Sequence, residues 1–222
     1  HFFDRELNYP VSLVNTEDLE AIDWSRVNTL ILPDGQYTFL KNKMIRERLE
    51  AWINNGGKLI AMESAVEDIA ALNWGLRKRE PEEEDKEEKE EKAYQLLKKY
   101  NNRERDRLGE TTPGSIYRVE LDNTHPLPYG YPDYYYTLKQ GEDIYEFLEA
   151  DGWNVGVVKQ NNQVAGFVGA ALKNKLKDGL LFGVLNKGKG SVVALVEDPL
   201  FRSFWENGKL LFANAVFFRN KN

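Results

Sequence analysis

The chain contains no cysteine at any of its 222 positions. That absence excludes disulfides, thiolate nucleophiles and Cys-ligated metals together. Histidine is nearly as scarce. Only His1 and His125 occur, and a two-His zinc site would need both, one of them at the chain start. No metal site and no cofactor is therefore expected. Long hydrophobic runs are missing too: none approaches the ~20 apolar residues of a membrane-crossing helix, so no membrane span is expected. The opening His-Phe-Phe-Asp-Arg-Glu-Leu is no signal peptide. It lacks Met and reads like the end of an amphipathic helix, so the chain is expected to be a piece of a longer protein. A basic run is absent as well. Thirty Lys and Arg are mixed among thirty-six Asp and Glu, giving a net charge of −6 and a pI near 5.2. This argues against a nucleic-acid partner, whose phosphates need a basic face.

What the chain does have is enough apolar residue, 41%, to bury a core at ordinary globular composition. Pro10–Val14 reads as a short strand, with Thr16 as an N-cap for a short helical turn. Val27–Leu32 is a buried-strand pattern ended by Pro33-Asp34-Gly35. Met44, Ile45, Leu49, Trp52 and Ile53 recur at helical spacing, predicting a helix over 42–54 that Gly56-Gly57 stops. Lys58–Met62 is then a strand, and a helix is predicted over 65–72. This strand–helix–strand–helix order with short turns predicts parallel strands covered by helices, with chemistry in the loops after the strands, at Pro33 and Glu63. Residues 80–92 are nearly all charged. Glu82/Lys86, Asp85/Lys89 and Glu88/Lys92 stand at i,i+4 with the acid first, which favours a solvated helix. The stretch 80–108 thus reads as a charged helical insertion in a single domain spanning 1–222. Downstream, strands are predicted over 115–121, 153–158, 163–168, 180–185 and 191–196. A Pro-, Gly- and Tyr-rich loop occupies 126–136, and a closing helix 207–218.

Several stretches in order resemble one family: Leu30-Ile-Leu-Pro-Asp-Gly35, Trp52-Ile-Asn-Asn-Gly-Gly-Lys-Leu-Ile-Ala61, Pro113-Gly-Ser-Ile-Tyr-Arg-Val119 with Leu121-Asp-Asn-Thr-His-Pro-Leu127, Glu197-Asp-Pro-Leu-Phe-Arg-Ser-Phe-Trp205, and Lys209-Leu-Leu-Phe-Ala-Asn-Ala-Val-Phe-Phe218. They resemble the class-I glutamine-amidotransferase-like domain that follows the peptidase domain in secreted zinc carboxypeptidases of Bacteroidetes-type bacteria. The resemblance implies a flavodoxin-like, mostly parallel sheet flanked by helices, with extra strands in the C-terminal half. It also implies one further N-terminal strand, a peptidase domain of the same polypeptide as partner, and a periplasmic or extracellular location.

Active amidotransferases of this fold carry a Cys nucleophile at the tight turn after a central strand, with His and a carboxylate completing the triad. The matching turn here is Met62-Glu63-Ser64-Ala65, without Cys, so glutamine hydrolysis by that route is excluded. Ser64 is the alternative nucleophile, His125 its only realistic base, and Glu63 or Asp122 the orienting carboxylate. Against this, Val66 stands where related serine peptidases have Gly. The competing reading has Ser64 capping the next helix and His125 holding a loop. Arg202, in Asp198-Pro-Leu-Phe-Arg202, is either an anion ligand or the partner of a carboxylate pinning its loop. The tyrosines at 129, 131 and 134–136, with Tyr134 and Tyr135 the foremost candidates, could stack on a sugar or pack against a neighbouring domain. Three functions stay open: a non-catalytic accessory domain, a serine hydrolase, and a carbohydrate- or peptide-binding module.

Overall fold

A computed structural model describes residues 1–79 and 99–218. The charged run at 80–92 and most of the insertion expected over 80–108 lie outside the described residues. Its end is within them and includes helix α3 (Arg103–Gly109).

Among the described residues, eight strands form one sheet: β1 (Thr29–Leu32), β2 (Lys58–Met62), β3 (Gly114–Leu121), β4 (Tyr134–Lys139), β5 (Gly152–Val158), β6 (Gln163–Phe167), β7 (Gly179–Lys187) and β8 (Gly190–Leu195), in spatial order β1-β2-β8-β7-β5-β3-β4, with β6 also on β3. The four other described α-helices are α1 (Lys43–Asn54), α2 (Ser64–Ala70), α4 (Ala170–Lys175) and α5 (Glu206–Phe217). The expected parallel pairing of β1 with β2 is present, as is that of β2 with β8. The remaining ladders are antiparallel, so the sheet is mixed, not mostly parallel. For β7 and β8 the cause is connection length. A parallel neighbour needs a crossover of a dozen or more residues, which the tight turn at Lys187–Gly190 between β7 and β8 cannot supply.

Local chemistry explains the elements. Asn42 caps α1 by accepting the amide of Met44 at 3.0 Å, and Ile45, Leu49, Trp52 and Ile53 form its buried stripe. Gly57 is obligatory after it, because a Cβ there would lie 2.3 Å from the Trp52 ring. β2 is buried along its whole length, as a strand covered on both faces must be. The charged end of Lys58 reaches the carbonyls of Ala215 and Val216 at the end of α5, where a cation complements the helix dipole. Side chains alternate across a strand. Lys58 therefore places α5 on one face of the sheet. Gly190, pressed against the Ile53 carbonyl, pairs with Lys187 rather than lying on the Lys58–Ser191 row and places α1 on the other.

Three local expectations fail. Thr16 is the first residue of the short helix Thr16–Ala21 and not its cap, a position that Asn15 occupies. Residues 10–14 form no strand and are exposed, because no neighbouring strand pairs with them. The loop predicted over 126–136 ends early, since Tyr134–Tyr136 pair with Arg118–Glu120 as the start of β4. Among the described residues no helix is long and apolar enough to cross a membrane.

Candidate functional site

The parallel strands β1, β2 and β8 end together, and the loops after them carry Asp34, Glu63-Ser64 and Glu197-Asp198. At the end of β2 the chain turns sharply into α2. Glu63 takes φ 48° and ψ −121° at this turn, a region of backbone space occupied almost only by glycine. Its amide is held by the Leu195 carbonyl at 2.9 Å and its carbonyl by the Val66 amide at 3.0 Å, so the strain is fixed from both sides. Glu63, not Ser64, is thus the residue at the apex of the elbow.

The side chain of Glu63 is half-buried, and its pKa is pushed up to about 7, chiefly by desolvation, then by the charges of Asp198, Asp34 and Glu197. Burial also raises Asp198, against the stabilising Leu200 amide, which donates to its carboxylate at 2.8 Å. Glu197 is buried and bonds the equally buried Lys139. Desolvation raises its pKa and the Lys139 charge opposes the rise. The amine of Lys139 also donates to the Asp143 carbonyl at 2.8 Å, so the pair ties the end of β8 to β4 and the following loop. Tyr145 is fully buried nearby, with no hydrogen-bond partner for its hydroxyl. Its pKa is driven upward by burial and by Asp143, Glu67, Asp68 and Glu197. Among the described residues no group of three or more His, Asp or Glu side chains is arranged to hold a metal ion.

Ser64 is not the cap expected of it. It is the first residue of α2, and its side chain satisfies none of the helix's free amides. Instead its hydroxyl bonds the Asp34 carboxylate and accepts the Gly35 amide at 2.9 Å. Val66 is fully buried. His125 stands elsewhere. It lines a small cavity with Lys58, Leu127, Val193 and Asn214, at the start of β2, whereas Ser64 follows its end. About 13 Å of strand separates the two ends of Lys58–Met62, at roughly 3.3 Å per residue. The ring accepts the Leu127 amide at 3.1 Å through Nδ1, and burial lowers its pKa against the opposing charge of Asp122. Asp122 itself is occupied by the amide and hydroxyl of Thr124. Ser64, His125 and Asp122 are therefore not brought together.

The tyrosines divide. Tyr135 is in the core, 1% exposed, and inaccessible to a ligand; its ring meets Phe182 and Tyr131 edge-on. Tyr131 is likewise engaged, accepting the Leu211 amide and donating to the Asn207 carbonyl. Tyr134 and Tyr136 point the other way, exposed and edge-to-face at 5.6 Å, with the Arg118 guanidinium over Tyr134. Arg202 has no ion-pair partner among the described residues. It adopts a left-handed backbone, as does Ser203, and lies over the Phe201 ring at 5.2 Å, so the expected carboxylate partner is replaced by an aromatic face. Sequence reasoning passed over Asp34, Asp198, Glu197 and Lys139 as site residues. Only the position of the acids directly after strand-like runs could have drawn attention to them.

No protein-family model matches the chain, and no curated protein does. Solved structures do. A ThuA-like protein from Parabacteroides merdae aligns over 100% of this chain and 84% of its own, with a TM-score of 0.57 at 11% identity. A ThuA-like protein from Bacteroides uniformis aligns over 96% and 79%, with a TM-score of 0.55 at 14% identity. A Thermoplasma acidophilum protein described as one component of GMP synthase aligns over 95% and 81%, with a TM-score of 0.53 at 12% identity. The fold is amidotransferase-like. At these identities the likeness fixes the architecture of the amidotransferase-like domain and leaves its chemistry to its own residues.

Proposed function

We propose that this amidotransferase-like domain is a non-catalytic accessory domain of a larger polypeptide. The observation that carries this reading is the elbow. Its apex is Glu63, which is no nucleophile for acyl transfer in this setting. The neighbouring Ser64 hydroxyl is held by Asp34 and Gly35, and the one internal histidine lies at the far end of β2. A serine needs a base within about 2.6–3.2 Å to act; the group bonded to Ser64 is the Asp34 carboxylate, and no histidine stands there to relay the proton. The interaction role is supported by the exposed pair Tyr134 and Tyr136 with Arg118, since Tyr and Arg are enriched where proteins meet.

The sequence resemblance suggests the context: a zinc carboxypeptidase domain in the same polypeptide as the partner, with a periplasmic or extracellular location. The test is turnover of glutamine and of an activated ester by the purified chain. Background rates are expected for both. Ester turnover that disappears in Ser64→Ala would replace this reading with the serine-hydrolase one. Saturable binding of an oligosaccharide or peptide, lost in Tyr134→Ala, would replace it with a binding module.

A further inference from the structure

The loop after β3 holds helix α5 to the sheet through two side chains, one from each. Asn214 of α5 is buried, and its amide donates both protons to the loop, to the Leu127 carbonyl at 2.9 Å and the Tyr129 carbonyl at 2.8 Å. Tyr131 of the loop accepts the Leu211 amide and donates to the Asn207 carbonyl. At the root of the loop the Leu127 amide donates to Nδ1 of His125 at 3.1 Å. The residue that Asn214 grips is thus the residue that His125 fixes. A backbone amide can only donate, so Nδ1 carries no proton and the neutral ring keeps its proton on Nε2. The His125 amide donates to the Asp122 carbonyl at 3.1 Å, and the ring stands 6.2 Å from that of Trp153 on β5. From β2, Lys58 lines the same small cavity, its amine turned to the carbonyls of Ala215 and Val216. From α5 come Asn214 and Ala215, and from β7 and β8 Val184 and Val193, none of them titratable. The carboxylate that acts on the ring is Asp122, already bonded by the amide and hydroxyl of Thr124.

We propose that His125 is a proton-sensitive latch: a proton taken from solvent onto Nδ1 turns the acceptor of the Leu127 amide into a second donor, and the loop over 125–131 loosens its hold on Asn214 of α5. Two N–H groups then point at one another, and a part-buried amide is left without its acceptor. Burial also holds the ring's pKa below its ordinary value of 6.5, with Asp122 opposing. The sign follows from that direction. The unfolded chain binds the proton more tightly, so the contribution of the latch is complete above 6.5 and is lost as pH falls from there to the folded value. Glu63 acts in the opposite sense, its contribution being lost as pH rises, so the two effects are separable. This inference is independent of the accessory-domain reading, because it uses neither the elbow nor the pair of Tyr134 and Tyr136.

The experiment is an NMR titration of the 222-residue chain from about pH 8 to about pH 5, the range in which histidine changes charge. It follows the ring nitrogens of His125 and the hydrogen exchange of the Leu127 amide and the Asn214 side chain, corrected for the intrinsic effect of pH on exchange. The expected result is a neutral ring protonated on Nε2 that titrates below 6.5. Protection at both groups is expected to fall by about threefold or more as the ring takes up its proton. In His125→Asn the side-chain oxygen can accept the same amide two residues on and does not titrate. That variant is expected to keep the protection and lose its pH dependence. A neutral ring protonated on Nδ1 overturns the proposal, as does a ring that stays neutral to the acid end of the titration. So does protection that stays level while the ring titrates, or a fall that a folded His125→Asn variant retains. If His125→Asn does not fold, the wild-type titration decides.

Discussion

The Gly35 amide donates to the Ser64 hydroxyl at 2.9 Å, joining the loop after β1 to the helix after β2. The hydroxyl bonds Asp34 in turn. The side chain best placed to mimic a nucleophile is therefore a clasp between two loops. Removing it leaves a part-buried amide unsatisfied, which costs about 1–2 kcal/mol. Ser64→Ala is expected to lower stability by that amount in denaturant unfolding, with no change in the slope of the transition. A neutral outcome would mean the clasp contributes nothing.

Glu63 gives a pH signature. Its folded pKa, about 7, lies above the ordinary glutamate value of 4.5. A carboxyl raised in this way binds its proton more tightly when folded. Its stabilising contribution is complete below the unfolded value and is lost as pH rises through about 7. The group is half-exposed, so screening reduces the effect to about 1 kcal/mol. Stability is expected to fall between about pH 4.5 and 7 by that much in the wild type, and Glu63→Gln is expected to remove this component. Parallel pH profiles for the two proteins would refute the assignment.

The buried pair Lys139 and Glu197 gives the largest expected loss. Lys139→Met strips the counter-charge from a carboxylate that is 4% exposed, and breaking such a pair costs about 3–5 kcal/mol. Replacing both, as Lys139→Met with Glu197→Leu, is expected to recover much of that loss, because no charge is then stranded. Equal damage from single and double variants, measured by urea unfolding, would show that packing and not charge sets the cost.

How much of the fold is legible in the sequence follows from the range of each signal. Helix α1 and its stop at Gly56-Gly57 are readable because caps, periodicity and glycines act within a few residues. The β1–β2 parallel pair is readable because the helix between them forces it. Glu63-Ser64 can be named from its place after β2, but not which of the two occupies the strained apex, since that depends on the bond from the Glu63 amide to Leu195. The separation of Ser64 from His125 depends on which end of the sheet each loop leaves, and a sequence does not record that. Tyr134, Tyr135 and Tyr136 look alike in sequence, and the alternation of β4 buries only the middle one. The predicted strand at 10–14 has the right residues and no partner.

The most direct test of the central claim, that the elbow supports no nucleophile, is intact-mass analysis after incubation with a fluorophosphonate. An unmodified mass is expected, because the Ser64 hydroxyl is engaged by Asp34 and Gly35 and has no histidine within reach. A single stoichiometric adduct, mapped to Ser64 and absent from Ser64→Ala, would contradict it.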